Sequence, residues 1–329
     1  ATWLASRGLL DIWSVTLDRT GLSFGTLNWT VLGAYMAVLM AMGVWLLRRG
    51  KTADDFFLAG RRIPWWAAGL SIYSTMLSAI TYLAIPAKTY ATDWTRFLLN
   101  CGILAIAPLV IVFFLPFYRR LNITSIYEFL EKRFSPGLRL VGSASFVMFQ
   151  LARMGIVILL PALALSAVTG LDVRVCILAM GIFCTAYTVM GGIEAVIWTD
   201  VLQTIVLLGG ALVAVFIIIG EIDGGLGTIL AEASAQNKFN WANFRWDWSN
   251  NMDAIGVILV AAIFTNLLPY TTDQAVVQRY LTTPDEKQAA RAIWTNGLMA
   301  IPGSVVFFGL GTALFVFFQQ HPAELEPLA

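Results

Sequence analysis

Apolar residues run along the chain in eight blocks, at about 28–47, 64–84, 97–118, 141–167, 171–190, 195–220, 253–278 and 289–318. Each holds 20 residues or more, enough at 1.5 Å per residue to cross about 30 Å of hydrocarbon. The pattern predicts eight membrane-spanning helices, the last tilted or broken near Pro302-Gly303. Between blocks, FYRRLNITSIYEFLEKRF (117–134) reads as an amphipathic surface helix opened by its Asn-x-Thr-Ser cap. The segment 221–251 is the longest connection on the opposite side. Its four aromatic residues from Trp241 to Trp248 suit the headgroup interface. Residues 1–27 place Arg7, Asp11, Asp18 and Arg19 among apolar residues. That pattern lacks a clean signal-peptide core and is expected to form an extension lying at the interface.

Composition agrees with the pattern. Of 329 residues 58% are hydrophobic and 12% charged, against about 25% charged in soluble domains. The mean hydropathy is +0.75. A net charge of +1 offers no footprint for nucleic acid. Cys101, Cys176 and Cys184 lie in apolar blocks and read as buried free thiols, and His321 is the only histidine. A His/Cys metal centre is therefore excluded. No Gly-x-Ser-x-Gly, phosphate loop or nucleophile–base pair occurs, so no enzyme is expected. With the N-terminus outside, the inner connections hold thirteen Lys and Arg and the outer segments seven. The excess marks the cytoplasmic side. The expected product is a multi-pass protein of a cell inner membrane, with the lipid bilayer as its surroundings.

Polar groups at membrane depth carry the candidate chemistry. Asp200, in GGIEAVIWTD, precedes twenty uncharged residues. A carboxylate at a helix centre costs roughly 2.5–3.5 kcal/mol, so something must offset it. Gln203 and Thr204 share its helix face, and such a hard-oxygen set suits Na⁺. A partly hydrated interfacial carboxylate is the plainer reading. Arg153 lies about ten residues into its block, near the midplane. It is either a structural ion pair or a fixed charge that grips an anionic substrate bidentately. Ser71, Ser74, Ser78 and Thr81 recur at helical spacing beside Thr75. They supply either hydroxyl glue between helices or the lining of a weakened helix at a binding site. In FTNLLPYTTDQAVVQRY (264–280), Pro269 is expected to interrupt the seventh span between Asn266 and Thr271. Interrupted second and seventh spans fit a repeating five-span unit.

These segments resemble a known family. GGIEAVIWTDVLQTIVLLGG, KTADDFFLAGRRIPWWAAGLS and QAVVQRYL are similar to characteristic stretches of the sodium:solute symporter family. IPAKTYATDW, Arg153 and the VIWTD run look most like its bacterial sodium–sialic acid branch. The resemblance implies an all-α polytopic LeuT-like fold with two inverted five-helix repeats. Here 28–47 would be the leading helix, 64–220 the first repeat, 221–251 the external loop and 253–329 the first two helices of the second repeat. Three further core helices are expected beyond Ala329.

The resemblance also implies site residues. Ser74 and Leu77 would offer backbone carbonyls to one sodium ion, and Asp200 its carboxylate to another. Ser78, Thr81 and Arg153 would contact the substrate, Arg153 through a carboxylate. Asn100 stands where that branch has Gln, Met76 where it has Thr, and Arg96 where it has an aromatic residue. Asn266 resembles a sugar-contacting Asn of the sodium–glucose branch, whose gating Tyr is replaced by Pro269. The expectation is a monomeric Na⁺-coupled symporter that imports a small organic acid, sialic acid foremost, by alternating access. A neutral-solute symporter with Arg153 structural, and a non-transporting membrane sensor, are the alternatives.

Overall fold

Local chemistry fixes where each helix starts and stops in the computed structural model. It describes residues 24–47, 52–77, 79–121, 123, 125–242, 244 and 254–324, and their elements are helices. Helix α1 is Thr26–Leu47. Thr52 caps α2, Ala53–Leu58, by accepting from the Asp55 amide. Pro64 opens α3, Trp65–Met76, where its missing N–H costs nothing. Leu77 then turns extended (φ −79°, ψ 122°), and α4, Ala79–Ala91, leaves at a bend of 58°.

One span is built from α5 (Phe97–Leu109), a π-helical turn (Val110–Phe114) and α6 (Leu115–Leu121). Pro116 lacks the amide that would close the preceding turn, and the helix widens there. Ser125 caps α7, Ile126–Arg133. Ser135 caps α8, Pro136–Thr169, which stops at left-handed Gly170.

The fifth and sixth spans form one element, α9, Val173–Glu221. Its 49 residues would reach roughly 74 Å if straight, more than two bilayer cores. Gly192 (φ 61°, ψ −159°) divides it into two crossings. A Cβ there would lie 2.8 Å from the Phe56 carbonyl oxygen, so both conformation and space require glycine. The remaining helices are α10 (Gly225–Ala235), α11 (Ile255–Thr272), α12 (Gln274–Leu281) and α13 (Glu286–Gln320).

Several expectations are corrected. Helix α11 runs unbroken through Pro269 and stops at Thr272, not at 278. The break falls at Asp273, for two reasons. The Tyr118 hydroxyl takes the Thr271 carbonyl and the Tyr280 hydroxyl takes that of Tyr270, which satisfies the helix end. Asp273 itself caps α12, accepting from the Ala275 amide at 2.8 Å. Helix α13 is also continuous through Pro302-Gly303. The surface helix is shorter than 117–134: residues to Leu121 complete α6, and Ser125 provides the cap of α7. Asn122 and Thr124 lie outside the described residues. The connection 221–251 contains α10, and Trp246 and Trp248 lie outside the described residues. So do residues 1–23, most of the predicted interfacial extension.

The bundle is packed most densely at the end bearing α12. Leu58, Ile72, Ile106, Leu115, Ile197, Tyr280 and Ile293 meet there from seven helices. By contrast α8 buries only Ala162 and Ser166 of its 34 residues, as a lipid-facing helix should. At the opposite end Lys238, beyond α10, donates to the carbonyls of Tyr90 (2.7 Å) and Thr92 (2.8 Å). Its ammonium sits 3.8 Å from the Phe315 ring centroid. Burial lowers its pKa, against the raising influence of Asp93.

Small residues let α13 approach the broken pair. A Cβ on Gly311 would fall 2.4 Å from the Pro86 carbonyl oxygen, whereas one on Gly309 meets nothing within 4 Å. Gly311→Ala is expected to destabilise the protein by about 1–3 kcal/mol, and Gly309→Ala to be neutral or mildly stabilising. Thermal unfolding in detergent distinguishes the two; equal melting temperatures would contradict this packing.

Candidate functional site

The break after α3 opens two cavities and is flanked by a buried ion pair. A helix end leaves carbonyls of its last turn, Ser74 among them, outside the helical ladder. Leu77 holds that end through its amide, which donates to Tyr73 O at 2.9 Å. Beyond the break, Thr81 faces a cavity of about 150 Å³ that Met76 and Leu77 also line. Asn100 reaches it from α5, Asn266 and Tyr270 from α11, and Asn296, Ser304 and Phe307 from α13. Its polar groups are all neutral. The Asn266 amide nitrogen donates to the carbonyls of Leu99 (3.0 Å) and Ala262 (2.8 Å), which fixes the side chain at the cavity wall. Asn296 hydrogen-bonds the Tyr270 hydroxyl.

A second cavity, about 550 Å³, lies on the other side of Met76. Arg153 of α8 lines it together with Thr75, Tyr127, Ser145, Thr272 and Asp273. Phe146, Phe149, Leu268 and Pro269 supply apolar walls. The Arg153 guanidinium is 3.8 Å from Asp273 Oδ2, close enough for Coulomb attraction but beyond a hydrogen bond. Met76 lines both cavities, so one flexible thioether side chain forms part of the partition between them.

Asp200 is held from two sides. Ser71 Oγ donates to its Oδ2 at 2.5 Å, and Arg279 Nη2 contacts the same oxygen at 2.9 Å. Arg279 Nε reaches Ser71 Oγ at 2.8 Å and Asp200 Oδ2 at 3.3 Å. Both charged side chains are largely buried, at 10% and 13% exposure. The offset demanded for Asp200 is therefore a guanidinium. Thr204 does not join this cluster, because its hydroxyl donates to the Asp200 main-chain carbonyl at 2.8 Å.

The expected site residues thus divide. Met76, Leu77, Thr81, Asn100 and Asn266 gather at the smaller cavity; Arg153 stands at the larger, where Met76 also appears. Asp200 belongs to the ion-pair cluster, and Ser78 lies outside the described residues. Ser71 and Thr81 do not share a helix face as their spacing suggested, because the chain breaks between them. Sequence reasoning missed Arg279, Asp273, Tyr270 and Asn296. A signal existed for the first: an intramembrane Asp needs a cation, and Arg279 closes a short helix in a segment otherwise poor in basic residues.

A bundle of membrane-length helices, one broken beside polar cavities at its middle, is the architecture of a secondary carrier. Residues 56–327 match the sodium:solute symporter family, and the chain belongs to it. It is a transporter family of multi-pass membrane proteins, and the fold is all-α and LeuT-like. The chain is 42% identical over 302 residues to the sodium/sialic acid symporter SiaT of Proteus mirabilis (strain HI4320), covering 92% of this chain and 61% of that protein. It is 42% identical over 306 residues to the sodium/sialic acid symporter NanT of Aliivibrio fischeri (strain ATCC 700601 / ES114), covering 93% and 60%. A solved structure described as the substrate-bound outward-open state of a Na⁺-coupled sialic acid symporter superposes with a TM-score of 0.87 at 41% identity, covering 93% of this chain and 65% of that one. The chain spans about 60% of the length of these curated relatives.

Removing one partner of the buried pair should cost more than removing both. Arg279→Gln alone is expected to destabilise by about 3–5 kcal/mol, because it strands a buried carboxylate. Adding Asp200→Asn should restore a large part of that loss. A double-mutant cycle by chemical unfolding in detergent checks this, and strictly additive effects would contradict the pairing.

Proposed function

We propose that the full-length protein is a Na⁺-driven symporter that imports sialic acid, or a closely similar sugar acid, by alternating access. The observation that carries this is Arg153, a guanidinium placed on a cavity wall at membrane depth and separated from a neutral polar cavity by Met76. The likeness to sodium/sialic acid symporters supports it. In this reading Thr81, Asn100 and Asn266 bind the sugar hydroxyls, Ser78 supplies a further substrate contact, and Met76 gives way as the guest passes. Arg153 binds the carboxylate. Asp200 is one sodium contact, and the Ser74 and Leu77 carbonyls serve another.

The energetics favour such a coupling. An anion cannot cross hydrocarbon unaided, and an inside-negative potential repels it. Each Na⁺ that enters gains about 2.3 kcal/mol per 100 mV. Two Na⁺ with one anion carry net positive charge inward, so the potential then assists uptake. The protein acts as a monomer in the cell inner membrane, N-terminus outside and the α12 end in the cytoplasm. The leading helix 28–47, the first repeat 64–220 and the second repeat from 253 form its frame.

A second reading, a neutral-solute symporter with Arg153 structural, is favoured by the proximity of Asp273 to that guanidinium. Arg153→Gln separates the two. Loss of a charge-assisted bidentate contact should weaken N-acetylneuraminate binding and uptake by about 10- to 100-fold. Unchanged uptake would refute the acid reading. Asp200→Asn should in turn lower the sodium dependence of uptake, and an unaltered sodium curve would remove Asp200 from the ion path.

A further inference from the structure

Both intramembrane charges assigned to cargo are paired with residues of one short element. Asp273, the N-cap of α12, faces Arg153, and Arg279, near its other end, holds Asp200. The two residues are six positions apart, roughly 9 Å along the axis at 1.5 Å per residue. That spacing is wrong for a bond between themselves, which needs three or four. Each instead reaches outward to a different helix, Asp273 to α8 and Arg279 to α9.

We propose that α12 is a tethered surrogate for the cargo, its Asp273 standing in for the substrate carboxylate and its Arg279 for Na⁺. The proposal rests on the reading of Arg153 and Asp200 given above. In the empty carrier α12 presents one negative and one positive group, the same pair that one acid and one Na⁺ would bring. The charges of Arg153 and Asp200 are thus neutralised in both states. The acid must displace Asp273 and Na⁺ must displace Arg279.

The way α12 is held suits this exchange. Asp273 Oδ1 caps the helix while Oδ2 faces Arg153, so the carboxylate has one oxygen for each task. The backbone at Asp273 is non-helical and can hinge. The other end is fixed: Arg119 Nη2 contacts the Thr283 carbonyl and hydroxyl, both at 2.6 Å, and the Asp285 carbonyl at 3.0 Å. Because one element blocks both sites, the first ligand to displace it lowers the cost for the second. That is a coupling free energy between acid and Na⁺ without direct contact between them.

The test measures binding of N-acetylneuraminate to the full-length protein in detergent, in NaCl and in choline chloride at equal ionic strength. Asn caps a helix as well as Asp does, so Asp273→Asn removes the charge and keeps the fold. Its affinity for the acid without Na⁺ should rise by at least about fivefold, and the factor by which Na⁺ tightens the acid should shrink correspondingly. Arg279→Gln, combined with a folding check by size exclusion, should shift the Na⁺ midpoint to lower concentration. Unchanged or weaker acid binding in folded Asp273→Asn protein, with wild type binding both ligands, overturns the surrogate role alone. Wild type that binds Na⁺ but no acid overturns the functional reading and this proposal with it.

Discussion

The structure turns on the contact between Asp200, Ser71 and Arg279. A carboxylate inside an apolar bundle must have a cation within reach, and the nearest available one comes from a helix almost eighty residues later. That requirement ties α9 to α3 and α12 at once. The short helix α12, set off from α11 by the non-helical backbone at Asp273, carries the guanidinium to Asp200. The Tyr118 and Tyr280 hydroxyls complete the arrangement by accepting the role of capping the α11 carbonyls.

The same need for neutrality relates the two cavities. The smaller, beside the broken helix, offers only neutral donors and acceptors, which suit hydroxyl and amide groups of a guest. The larger carries a charge of each sign. In the proposed function the body of the sugar acid would occupy the first and its carboxylate the second, with Met76 lining both. At the far end of the bundle, Lys238 and Trp94 fasten the α10 connection to α4 and α13. The two ends of the bundle are therefore held by different chemistry: charge pairs around α12, and an ammonium on carbonyls and a ring beyond α10.

Much of the fold was legible in the chain. The apolar blocks marked the long helices, six of which among the described residues are long and apolar enough to cross a membrane, or seven if the bent pair α3–α4 is one span. Asp200 and Arg153 stood out because charge at membrane depth is costly. The partners did not stand out. Asp273 fell within the predicted seventh span and Arg279 just beyond its end, in what reads as a surface connection, and only the folded bundle brings them to Arg153 and Asp200. Tyr270 and Asn296 come from apolar helices where a single polar side chain carries no pattern. Proline proved a poor guide to breaks: Pro269 and Pro302 lie inside intact helices, while Leu77 and Asp273 carry the extended backbone. Backbone satisfaction by distant hydroxyls decides this, and it is a tertiary property.

The central claim is that the buried carboxylate of Asp200 exchanges an internal guanidinium for Na⁺. Difference infrared spectroscopy of the full-length protein, on replacing choline with Na⁺, observes that carboxylate directly. The account predicts a shifted carboxylate stretching band that vanishes in Asp200→Asn. No band, or one that persists unchanged in that variant, would contradict it.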